Sequence, residues 1–96
     1  MLIKTGVDIS RLNRPIRRAL NPISQWFQAY NEELVIISTY EGDHSPSSLH
    51  YCNDAIDVRF PRQQNKDLFK NLARELGKKF DVVVESDHIH IEYDPK

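Results

Sequence analysis

SLHYCNDAIDVRF, residues 48–60, changes character halfway. Its first half is polar and loop-like. Its second half, AIDVRF, alternates apolar and polar residues, the pattern of a strand with one buried face. Ile56, Val58 and Phe60 fall on the core side, leaving Asp57 and Arg59 on the other. ESDHIHIEY, residues 85–93, repeats the pattern: Ile89, Ile91 and Tyr93 share one face, and His88, His90 and Glu92 share the opposite one. If the two strands are neighbours, Asp57 and both imidazoles converge, and His50 reaches them from the loop just ahead.

Working outward, Leu34-Val35-Ile36-Ile37 is a short apolar run that reads as a buried strand. Residues 39–53, TYEGDHSPSSLHYCN, are rich in turn formers and read as a loop, long for so small a domain. After Pro61, Leu68, Phe69, Leu72 and Leu76 recur at helical spacing, with Gly77 where a C-cap belongs. FDVVVE and HIHIEY supply two final strands. Residues 9–31 read as helical with one break: Asp8 or Ser10 caps the start, and a second helix begins at Pro22. Ile23, Trp26, Phe27 and Tyr30 form its core stripe. The order predicts one α+β domain over residues 1–96, with helices packed on a small, mostly antiparallel sheet.

The chain has 96 residues, 40% hydrophobic and 28% charged, as in an ordinary soluble domain. A net charge of −1 argues against a general binder of nucleic acid. The exception is Arg11, Arg14 and Arg18, which form a stripe at helical spacing; it reads as a solvated helix face. A single cysteine, Cys52, excludes an intramolecular disulfide and a multi-cysteine zinc knuckle. No apolar run is long enough to span a membrane, and MLIKTGVDIS lacks a signal peptide's apolar region. The expectation is synthesis in the cytoplasm without an encoded export route.

Two imidazoles and a carboxylate suit zinc, whose catalytic sites have three protein ligands and one open position. Such a site also wants a carboxylate base that is not a ligand, and Glu85 is the candidate. Its parity is wrong for an unbroken strand, so that role requires a turn or bulge at Ser86-Asp87.

SLHYCNDAID resembles the Ser-x-His-x-x-Gly-x-Ala-x-Asp signature of the zinc D-alanyl-D-alanine peptidases, with Ser48, His50, Ala55 and Asp57 in register. ESDHIH resembles the second motif of that family, and its His-x-His form looks like the wider group that includes lysostaphin-type endopeptidases and the hedgehog signalling domain. HSPSSLHY with DVRF downstream is also similar to small phage-encoded members. The resemblance covers residues 34–94 and implies a hedgehog/DD-peptidase-like fold holding one zinc ion per chain. It implies His50, Asp57 and His90 as metal ligands, His88 as a histidine that stabilises the reacting centre, and Glu85 as the acid that activates water. In members with a Glu-x-x-His motif that histidine is the ligand, which here would be His88; strand parity does not choose between them. Ser48 and Arg59 are assigned to the substrate, Ser48 as a hydrogen bonder and not a nucleophile. His44 lies in the same loop, either at the border of the pocket or as an exposed loop histidine, Cys52 is a small thiol between two ligands, and Asp87 and Glu92 are a turn acid and a supporting acid.

The implied activity is that of a peptidoglycan hydrolase, cutting stem or cross-bridge peptides near D-amino acids and reaching the bacterial cell wall after release, as a phage endolysin does. Two departures bear on it. The family's Gly is Asn53, a residue that tolerates positive φ. An Arg that grips a substrate carboxylate is replaced near Tyr40-Glu41, which disfavours a carboxypeptidase relative to an endopeptidase. A catalytically inactive wall-binding module on the same fold is the alternative. A metal-dependent phosphodiesterase is a third reading, against which the near-neutral charge counts.

Overall fold

The computed structural model describes residues 1–40, 53–62 and 66–95. Among the described residues, five strands and two helices follow the order β1 (Leu2–Ile3), α1 (Arg14–Ala29), β2 (Val35–Ser38), β3 (Ala55–Val58), α2 (Lys66–Leu76), β4 (Phe80–Val84) and β5 (Ile89–Tyr93). The strands form one sheet in the order β1-β2-β3-β5-β4. Among the described residues, only the β1–β2 pairing is parallel. This is a small α+β domain with two helices packed against a mostly antiparallel sheet.

The helices cover one face of the sheet, and alternation decides which side chains they meet. Ile36, Ile56, Val58, Ile89 and Ile91 are fully buried there, together with Ile16, Ile23 and Phe27 of α1 and Leu72 of α2. Trp26 packs edge-on to Phe27 and donates its indole N–H to Asn71 Oδ1 at 3.0 Å, which ties α1 to α2.

Helix α1 departs from the expected break. Residues 14–29 are one helix with Pro22 inside it, and the N-cap is Asn13, not Asp8 or Ser10. An interior proline costs about 3 kcal/mol through its missing N–H and ring clash. Here Pro22 is on the exposed side. The buried stripe Ile16, Ala19, Leu20, Ile23, Trp26 and Phe27 runs through both halves, and burying each large member contributes about 1.5–3 kcal/mol. Continuity of the stripe outweighs the proline. Pro15, in the first turn, sits where the missing N–H has no consequence.

Asp8 and Ser10 have a different task. Asp8 Oδ1 accepts the Ser10 backbone N–H at 2.8 Å, and Thr39 Oγ1 donates to the Asp8 carbonyl at 2.8 Å. Arg11 lies ahead of the helix with its guanidinium 4.8 Å from the centre of the Tyr40 ring, so the arginine stripe is not one helix face. Asn13 donates from its backbone N–H to the Asn53 carbonyl at 2.9 Å and from Nδ2 to Asp54 Oδ1 at 2.8 Å. Residues 8–13 thus strap the end of β2 to the start of β3. Gly77, at φ +91, follows α2, and its N–H reaches the Ala73 carbonyl at 3.1 Å, as the sequence predicts for that C-cap.

Candidate functional site

The face of the sheet away from the helices carries the polar residues of β3 and β5. These two strands pair antiparallel with Asp57 directly opposite His90 and Ala55 opposite Glu92. The convergence expected from parity therefore has its geometric condition met: the strands are neighbours, and the register is the one that aligns acid and imidazole.

Asp57 is almost fully buried, at 7% exposure. Its Oδ1 lies 3.0 Å from His90 Nδ1 and 3.5 Å from His88 Nε2. His90 Nε2 in turn is 3.7 Å from Glu92 Oε1. His88 points its other nitrogen, Nδ1, at Asp87 Oδ1, 2.6 Å away. One carboxylate thus stands between two imidazoles, each of which has a second acid beside it. The pairing pushes the His90 pKa up: the hydrogen bond that His90 donates to Asp57 is the largest cause, burial opposes it, and the charges of Asp57, Glu92 and Glu85 add to the rise.

On the far side of β3, β2 bulges between Ile36 and Ser38, so that Ser38 faces Asp57. On the far side of β5, Val83 faces His90. The row across the sheet is Ser38, Asp57, His90, Val83. Ser38 was not legible as a neighbour of the acid, because a bulge shifts register by one residue and leaves no composition signal when it falls in a run such as VIIS.

Glu85 occupies the hairpin between β4 and β5. Its backbone N–H donates to the His88 carbonyl at 2.9 Å, closing a tight turn with Ser86 and Asp87 at the tip. The strand is therefore broken where Glu85's role requires it. Glu85 is exposed, and its carboxylate is close enough to raise the proton affinity of His90. Arg59 is exposed just past β3, its N–H bonded to the Val35 carbonyl at 3.0 Å, and it borders a groove with Leu2, Ile3, Lys4, Val35 and Ile37. Asn53 adopts φ +62, the left-handed conformation that the Gly of the resembled signature would take.

His50 and Ser48, with His44 and Cys52, lie outside the described residues. Among the described residues, no group of three or more His, Cys, Asp or Glu side chains is arranged to hold a metal ion. Also among them, no helix is long and apolar enough to cross a membrane.

No family model matches the chain, and no curated protein is similar enough to count as a relative.

Proposed function

We propose that the chain is a zinc-dependent peptidase of the hedgehog/DD-peptidase-like group, acting on peptidoglycan peptides near D-amino acids. The observation that carries the reading is the pairing of Asp57 with His90, one from each resembled motif, in direct register on the face of the sheet away from the helices. The donor chemistry suits zinc. Donors of a tetrahedral site with bonds of about 2.0–2.2 Å stand about 3.3 Å apart, and His90 Nδ1 is 3.0 Å from Asp57 Oδ1. Asp57 and His90 would hold the metal with His50, and His88 would be left beside them. The assignment of His90 rests on the His-x-His pattern of the resembled group; His88, tied through Nδ1 to Asp87, keeps its Nε2 toward Asp57 and is the ligand of the Glu-x-x-His alternative. When bound, zinc would supply a Lewis acid for the scissile carbonyl and lower the pKa of water.

The chain's own residues supply the rest. Glu85, exposed at the rim of the same face, would take a proton from water and pass it to the leaving amine. His88 would place an N–H at the reacting centre, oriented by Asp87. Arg59 would offer a cation to the substrate, and Ser48 a hydroxyl.

The test is zinc content and peptidoglycan cleavage, measured together. The parent should carry about one zinc per chain, the stoichiometry of a single three-ligand site. Glu85→Gln should keep the metal and lose hydrolysis; Asp57→Ala and His50→Ala should lose both. Full activity in Glu85→Gln would remove Glu85 from the mechanism. Absence of both zinc and cleavage, with retention on purified cell walls, would favour the inactive binding module.

A further inference from the structure

We infer that the outer edge of β4 is a docking edge for an extended acidic peptide segment, which would join the sheet as a further strand. The edge belongs to the other side of the hairpin from the histidine pair, and its role does not depend on any hydrolytic activity.

The first observation is the hydrogen-bond ladder. Glu85 N–H bonds to the His88 carbonyl, and Asp94 N–H to the Lys79 carbonyl. Both pairs extend the β4–β5 register, in which Val83 faces His90 and Asp81 faces Glu92. Bonded and non-bonded pairs alternate in an antiparallel ladder. Positions 79, 81, 83 and 85 therefore use their backbone groups inward, on β5. Val82 and Val84 turn their N–H and C=O groups outward, to an edge that no other described strand covers. Among the described residues, β4 is the last strand of the sheet. Its sequence, FDVVV, has no proline, bulge or lysine of the kind that usually blunts an edge. Val83 and Val84 are 41% and 42% exposed.

The second observation is charge. Helix α2 packs alongside β4, and two grooves follow the boundary. One, of about 370 Å³, is lined by Phe69, Lys70, Ala73, Val82 and Val84. The other, of about 510 Å³, shares Ala73 and adds Arg74, Lys78 and Phe80, with Asp81 as its one acid. Lys70 and Arg74 are one helical turn apart on α2, and Lys78, just past the Gly77 cap, lines the same groove as Arg74. Among the described residues, no ion pair joins any of the three.

Free ladder groups give affinity to any extended backbone, and the flanking side chains choose among them. A second copy of this chain pairing β4 to β4 would bring two basic rows together. An acidic strand would meet them with opposite charge.

The test uses the full chain and a short, blocked, fluorescent peptide of alternating glutamate and valine, followed by anisotropy. Binding should occur, weaken as salt rises, and be absent for the lysine–valine counterpart. Val84→Pro removes an outward N–H without breaking a β4–β5 bond and should weaken binding roughly tenfold or more. Lys70→Glu with Arg74→Glu should do the same through charge, and it carries the test if the proline variant does not fold. Absence of binding, equal binding of the lysine peptide, or undiminished binding in both folded variants would overturn the inference. So would a concentration-dependent dimer that Val84→Pro abolishes, which would assign the edge to a second copy.

Discussion

Asp57 is the residue on which the face away from the helices turns. A nearly buried carboxylate needs partners, and here two imidazoles stand beside it. The consequence for the metal-free chain is a pH dependence with a definite sign. His90 has a raised pKa in the folded state, with the Asp57 hydrogen bond as its main cause. Its stabilising contribution is complete below the unfolded value of about 6.5 and disappears as pH rises through the folded value. Chelator-treated protein should therefore melt at a lower temperature as pH climbs from about 6 upward, and Asp57→Asn should flatten that slope. An unchanged slope in the variant would separate His90's proton from Asp57. The residues of this face were readable from the sequence because strand parity is strict: 57 and 59, and 88, 90 and 92, had to share sides once the apolar positions were buried. What parity did not carry was which histidine meets the acid. That depends on register, which is set by pairing across strands distant in sequence.

At the scale of elements, local signals and tertiary packing disagree in two places. Pro22 reads as a helix start, yet it lies inside α1, because the apolar stripe from Ile16 to Phe27 gains more from continuity than the proline removes. β1, only Leu2–Ile3, has too few residues to show any period and exists through its parallel partner β2. The turn before β3 behaves as its chemistry suggests. Asn53 takes φ +62, and its buried Oδ1 has no hydrogen-bond partner among the described residues. Asn53→Gly would relieve both the left-handed strain and the orphaned oxygen. It should raise stability by about 0.5 kcal/mol, since the orphan's cost of about 1–3 kcal/mol is partly offset by glycine's extra chain entropy. Asn53→Val, β-branched at positive φ, should lose more than about 1 kcal/mol. Urea midpoints would order the three proteins, and a glycine variant less stable than the parent would refute the account.

For the whole molecule, one cluster of side chains between the helices and the sheet sets stability. Phe27 is fully buried at its centre, with Trp26 against it at 5.2 Å between rings. Phe27→Ala should cost about 3–5 kcal/mol, a large part of the about 5–15 kcal/mol available to a domain. A loss under about 1 kcal/mol by urea denaturation would place Phe27 outside the core. The layer arrangement was legible in the order of apolar patterns; the strand order was not, because β5 inserts between β3 and β4 by long-range pairing that no local window contains. The strap of residues 8–13 has a further consequence. It fastens Thr39 at one end and Asn53 and Asp54 at the other, from outside the stretch that connects them. Both mooring points are held by a third piece of chain, so the scaffold can accept a different connecting sequence between them. Exchanging that stretch should therefore cost the roles proposed for His50 and Ser48 before it costs the scaffold.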